Sequence, residues 1–240
     1  MTQALAKNER YQAQFKGIVD GSSPEWLDGL RRQGMKDFSS LGFPTARRGN
    51  ENWKYTNINA IANTEFDIAP ASDVTLEGLK QSAPWDDDWT TLVFVNGRYS
   101  ADMSNPSTDA SVTVGSISEL TRSNGNILES HLTSIAPTAN DGFAALNTAF
   151  VQDGAFVHVA EGVDLETPLH LLFVSTANET PFITHPRVLV VAGKESNSTI
   201  IESYVGVGEG KYFSNVVSEI ILEAGAQVDH YRLLDESDEA

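Results

Sequence analysis

Cysteine is missing from this chain of 240 residues. No disulfide can form within it, and no thiolate can hold zinc or an iron–sulfur cluster. Long apolar runs are missing too. No uninterrupted stretch reaches the roughly 18 residues that a membrane-spanning helix needs. The opening residues, Met1 to Gly17, contain no apolar segment behind a basic start, so they do not read as a secretory signal. These features point to the cytoplasm. Positive charge is scarce: 16 Lys and Arg against 33 Asp and Glu give a formal net charge of −17. Such a chain repels nucleic acid outside any local basic patch. The densest basic spot, Arg47-Arg48 with Lys54 nearby, reads as a solvated loop.

An apolar share of 40% is enough for a sizeable core. Residues 1–90 read as a helical region. Tyr11, Phe15, Ile18 and Val19 line one helix face. Ser22 and Glu25 have capping-box spacing for a second helix, with Pro24 in its first turn. Gly34 weakens its middle, so two short helices are expected there. Leu41-Gly42-Phe43-Pro44 is a stop signal. The next stretch, Glu51 to Ile58, reads as a loop packed by Trp53 and Tyr55, leading into a short helix.

Residues 91–150 read as a strand, a hairpin and short helices. Thr91 to Val95 is a strand, and Asn96-Gly97 is a strong hairpin turn. Ser116 and Glu119 again have capping-box spacing. Phe143, Leu146 and Phe150 mark a helix that starts near Asn140-Asp141. Over 151–240 the pattern becomes short β-branched runs with no amphipathic helix between them, which excludes a βαβ arrangement. Three turns anchored at Gly162, Glu195 and Gly225 lie about 30 residues apart, a spacing that suggests repeats. The expected class is therefore mainly β with a helical N-terminal region, built as a right-handed parallel β-helix. Hairpins of a sandwich or jelly roll fit the same three copies. A solenoid needs a cap at each end, and 91–150 could close the front. None closes the back, so the solenoid is expected to be incomplete and its strand 228–234 prone to aggregate.

No catalytic constellation stands out. His131, His158, His170, His185 and His230 have no recognised metal-ligand spacing, although His158 or His170 could stack with His230. Asp86-Asp87-Asp88 lacks the glycine and terminal glutamate of a calcium loop. Gly206 to Lys211 has phosphate-loop glycines, but no Ser or Thr follows Lys211. Glu202 and Glu219 could form the carboxylate pair of a solenoid carbohydrate-active enzyme. Both also fit outward-facing polar positions. An adhesion or cap module is a third possibility.

Five ordered stretches carry a resemblance. They are Gly42-Phe43-Pro44-Thr45 with Glu51-Asn52-Trp53-Lys54-Tyr55-Thr56-Asn57-Ile58; Leu92 to Ser100; Leu146-Asn147-Thr148-Ala149-Phe150 through Phe156; Glu202 to Gly206; and Asp229 to Leu233. Together they resemble the SufB/SufD family of iron–sulfur assembly scaffolds, with the W-K-Y-T stretch favouring the SufD side. The resemblance implies a helical lead-in followed by a right-handed parallel β-helix. It also implies a non-enzymatic scaffold of the SUF system that works with SufB and the ATPase SufC, without nucleic acid or membrane partners. No cofactor is expected on this chain, the cluster being assembled by the full complex. Family members are far longer, so the chain is expected to be an N-terminal portion that lacks the later turns and the helical domain that contacts SufC. No catalytic, cofactor-binding or metal residue carries over.

Overall fold

The computed structural model describes residues 2–44, 51–107, 109–123 and 125–240. Arg47-Arg48 and Thr45 fall outside them.

Helices dominate the first part. α1 (Thr2–Phe15) and α2 (Glu25–Leu41) are followed by a 3₁₀ turn at Glu51–Trp53, α3 (Asn59–Asn63), β1 (Asp67–Ile68) and α4 (Leu76–Ser82). Next come β2 (Thr90–Val95), β3 (Arg98–Tyr99), a 3₁₀ turn at Ala101–Met103, β4 (Val112–Ser116), α5 (Ile117–Ser123) and α6 (Gly125–His131). A 3₁₀ turn at Thr138–Asn140 leads into α7 (Gly142–Phe150). Strands fill the rest: β5 (Gly154–Val159), β6 (Leu169–Thr176), β7 (Phe182–Thr184), β8 (Arg187–Ala192), β9 (Asn197–Val207), β10 (Tyr212–Ser214), β11 (Val217–Leu222) and β12 (Gln227–Asp235).

Local chemistry explains several boundaries. α2 ends at Gly42, which donates its N–H to Phe38 O at 2.7 Å and then turns the chain out of the helix with a positive φ of 65°. Asn96 and Gly97 both have positive φ, at 50° and 76°, and fold β3 back on β2. Asp141 caps α7 by accepting the N–H groups of Phe143 and Ala144. Ser116 Oγ accepts from Glu119 N at 3.2 Å at the start of α5. Other expectations change. α1 ends at Phe15, so Ile18 packs from the turn beyond it. The capping box at Ser22 does not form: Pro24 holds the cap position of α2 and makes no side-chain bond. Far from splitting α2, Gly34 lets it run unbroken beside α7.

The strands form three sheets, in the orders β1-β7-β10, β11-β8-β5-β4 and β12-β9-β6-β2-β3. The late strands pair in parallel, each residue facing one 30 positions earlier: Tyr212 opposite Phe182, Val217 opposite Arg187, Gln227 opposite Asn197. Gly162, Glu195 and Gly225 all adopt positive φ.

The expectation of a mainly-β chain forming a right-handed parallel β-helix is corrected. Among the described residues the fold is mixed α/β, with three separate sheets and no closed or solenoid sheet. Two of the sheets also mix strand directions, because β3 runs antiparallel to β2 and β4 antiparallel to β5. Evenly spaced apolar runs show that strands exist. They do not say how many sheets share them or which strand runs backwards at an edge.

The main core lies between the two larger sheets, where Leu92, Phe94, Val157, Leu171, Phe173, Val190, Ile200 and Tyr204 meet. Phe94, Phe173 and Tyr204 occupy matched positions on β2, β6 and β9 and stack with centroids 4.9 and 5.1 Å apart. The opposite faces of these sheets are covered too. Leu79 and Trp85 pack on Val93 and Leu172, while Leu27, Leu128 and Leu132 pack on Phe156 and Leu189. Burial on both faces explains the near-continuous apolar runs of β6 and β8.

Candidate functional site

The cross-strand column Leu92, Leu171, Glu202 and Arg232 starts apolar and buried and turns polar, ending exposed at Arg232. Glu202 is fully buried. Its Oε2 accepts from Tyr204 Oη at 2.7 Å, Ser218 Oγ at 3.1 Å and Arg232 Nη2 at 2.9 Å. His230 Nε2 lies 2.9 Å from its Oε1. The cost of burying the charge is met by four polar partners from three strands. Burial pushes the Tyr204 phenol up, and the adjacent Glu202 charge pushes it further. Arg232 lies over the Tyr204 ring at 5.8 Å. It bonds through Nη2 alone, so the rest of its guanidinium has no hydrogen-bond partner among the described residues. Beside this cluster opens a groove of about 440 Å³ lined by Trp53, Phe143, Tyr204, Phe213, Arg232 and Leu234. Trp53, from the W-K-Y-T stretch, packs 5.2 Å from Phe143. Tyr55 does not pack as expected, being 90% exposed.

Glu202→Gln is expected to cost about 2–3 kcal/mol, because an amide cannot accept all four contacts and the charge-assisted ones are lost. Urea unfolding of the variant beside the native chain measures this.

Glu219 sits in a different environment. It is fully buried and paired with Arg187, whose Nη2 reaches Glu219 Oε1 at 2.5 Å. Glu219 also accepts the backbone N–H groups of Thr133, Ile135 and Ala136, at 2.8, 3.1 and 3.1 Å. Arg187 Nη1 adds Asn147 Oδ1 at 3.0 Å and Thr148 Oγ1 at 3.3 Å. This junction ties α7, β8, β11 and the loop after α6 together. Glu202 bonds Ser218 while Glu219 bonds the loop at 133–136, so the two carboxylates serve separate clusters and do not share a cleft.

The remaining sequence candidates are ordinary. Asp87 takes Lys80 and Trp85, and Asp86 takes the N–H of Asp88. Gly208 and Gly210 turn the chain between β9 and β10. Among the described residues, no group of three or more His, Cys, Asp or Glu could hold a metal ion, and no helix is long and apolar enough to cross a membrane.

His170 and Ser203 meet in a way the sequence did not indicate, Nε2 lying 2.9 Å from Oγ on adjacent strands. No carboxylate orients this ring: Nδ1 is buried without a partner, and Trp89 packs edge-on at 5.5 Å. Both residues are fully buried, so no substrate reaches them. Desolvation pulls the His170 pKa down from 6.5 to about 4. The unfolded chain then takes a proton near pH 6.5 and the folded chain only near 4. Stability is whole above pH 6.5 and falls as pH drops toward 4, by up to about 1.4 kcal/mol per unit for this group. His170→Gln, which keeps a polar contact for Ser203, is expected to flatten the stability curve by about one proton between pH 6 and 4. Denaturant midpoints across that window test the sign.

Fold and clusters define a cysteine-free mixed α/β chain whose buried charges are bound up in its own architecture. Comparison with known proteins is more specific. Residues 5–171 match the SufBD protein N-terminal region, and residues 173–240 match the SufBD core domain of SUF system FeS cluster assembly. The chain belongs to the SufB/SufD family. It is 32% identical to an iron–sulfur cluster assembly SufBD family protein of Synechocystis over 220 residues, covering 84% of this chain and 46% of that protein. Identity to the iron–sulfur cluster assembly protein SufD of Bacillus subtilis is 26%, covering 86% and 48%. For SufD of Escherichia coli it is 24%, covering 84% and 45%. The likeness within the family is thus to SufD, and the chain spans about half the length of these relatives.

Proposed function

We propose that the chain is a non-enzymatic scaffold part of the SUF system for iron–sulfur cluster assembly, acting in complex with SufB and the ATPase SufC. The observation that carries this is the pair of family matches, which together span residues 5–240 with one residue between them. The side chains are in keeping with it. Glu202 and Glu219, the buried carboxylates on β9 and β11, are each held by four partners, which leaves them poorly suited to proton transfer. With no cysteine, the chain offers a cluster no thiolate ligand, in keeping with a cluster assembled by the full complex.

Co-expression of the tagged chain with SufB and SufC tests the proposal. SufB is expected to stay with the tag through gel filtration, and SufC to join only when SufB is present. A chain that elutes alone at every concentration overturns the proposal, and so does one that holds SufC without SufB.

A further inference from the structure

A small cavity of about 40 Å³ lies between the helical lead-in and the sheets, away from the groove at Arg232. By volume it has room for roughly three water-sized centres. α1 contributes Gln14 to its lining, α7 contributes Phe150, β7 contributes Thr184, and His185 follows directly after β7.

His185 turns a donor into this space. Its ring stacks on Phe150 with centroids 5.2 Å apart. Asn215 Nδ2 donates to Phe143 O at 3.0 Å, which sets the orientation of that amide. The same nitrogen lies 3.2 Å from His185 Nδ1, which must then accept. The hydrogen of the neutral ring therefore sits on Nε2, an assignment made from the network. Burial lowers the His185 pKa to about 3, so the ring is neutral near pH 7. Nε2 is itself buried, and no described residue accepts its hydrogen.

Acceptors line the other walls. Gln14 Nε2 donates to Phe66 O at 3.1 Å, which fixes Oε1 as the acceptor end of that amide. No hydrogen bond among the described residues occupies that oxygen or Thr184 Oγ1. Asp153 Oδ1 accepts from Ser116 Oγ, Ser118 N and Gly154 N, but Oδ2 accepts from Tyr99 N alone. None of these oxygens lies within hydrogen-bonding distance of His185 Nε2, since that atom has no partner. Arg98 also borders the cavity, but it is exposed and bulk solvent meets its charge. The wall thus offers a donor and several acceptors that cannot reach one another. An anion would face the Asp153 carboxylate, and a cation would face an N–H with no lone pair to give. Water, which both donates and accepts, meets both sides.

We propose that this cavity is a water site built into the fold. About three ordered waters fill it, the first accepting the Nε2–H of His185 and the others carrying hydrogen bonds on to Gln14, Asp153 and Thr184. They tether α1 to the sheets without direct polar contact.

High-resolution diffraction from crystals of the native chain tests this. A water within hydrogen-bonding distance of His185 Nε2 is expected, bonded to a second that reaches Gln14 or Asp153. A dry cavity overturns the proposal. Proton–nitrogen NMR of the histidine rings gives a second reading on the native chain. His185 is expected as the Nε2–H tautomer, with cross-relaxation between that hydrogen and water; the Nδ1–H tautomer overturns the proposal. His185→Phe keeps a ring against Phe150 and removes the donor. The water beside Nε2 is expected to be lost from crystals of this variant, and the same water at equal occupancy overturns the assignment. The two measurements on the native chain decide the matter even if the variant does not fold.

Discussion

An Arg187→Met protein is expected to unfold with about 3–5 kcal/mol less free energy than the native chain. Arg187 is 1% exposed and its partner Glu219 is 0% exposed. Burial pulls the Arg187 pKa down, and the Glu219 charge opposes that pull. Removing the cation leaves a carboxylate in the interior with only three backbone N–H groups for company. It also empties the space that joins α7 to β8. Arg187→Lys should fall between the two, because an ammonium keeps the charge but cannot span Asn147, Thr148 and Glu219 as the guanidinium does. The junction is not perfect even in the native chain, since Arg187 Nε is buried without a partner. The contrast is Arg10→Ala, which breaks exposed pairs to Glu65 and Asp67 and should cost less than about 1 kcal/mol. Guanidinium denaturation of the three variants reads these differences directly. A loss below that of Arg10→Ala would refute the assigned role.

Gly34→Leu is the second large effect, at about 3 kcal/mol. A Cβ at Gly34 would stand 2.7 Å from Ala149 N and 2.8 Å from Ala145 O. Those are backbone atoms of α7, so the helices must separate. Gly34→Ala tests the same contact more gently. In an exposed helix it would gain about 1 kcal/mol from propensity, yet here the clash should make it destabilising. Gly29 is the internal control. It lies in the same helix with nothing within 4 Å of a built Cβ, so Gly29→Ala should stabilise by about 0.5–1 kcal/mol. Opposite signs for the two alanine variants are the expected result. Equal signs would mean that α2 and α7 do not pack through Gly34.

Much of this architecture was legible locally. The Asn96-Gly97 hairpin, the Asp141 cap and the Gly42 stop depend on residues within one turn of each other, and each formed. The three turns at Gly162, Glu195 and Gly225 are legible too, through their regular spacing of about 30 residues. What failed was long-range. Apolar runs identify strands without saying which sheet receives them, so their even spacing alone suggests a single coil where the chain forms mixed sheets. Gly34 looked like a helix breaker because its neighbour on α7 lies more than a hundred residues away. Glu202 and Glu219 were noticed as carboxylates, but their partners lie at separations no local pattern encodes: Thr133 is 86 residues from Glu219, and Arg232 is 30 from Glu202.

The place of β2 in its sheet bears on how the chain is made. Two of its six residues pair with β3 at once, through a turn of two residues, but all six pair with β6 only across an interval of some eighty positions. Closing so long an interval is an entropic cost met before any reward from the Phe94–Phe173–Tyr204 stack. On a ribosome that delivers residues in order, the hairpin waits with one edge open until Leu169–Thr176 has emerged. The helices packed outside the sheets are synthesised largely before the strands they cover. Assembly of the core is therefore a late event in biosynthesis, and the nascent chain is most exposed to mispairing while residues 96–169 are being translated.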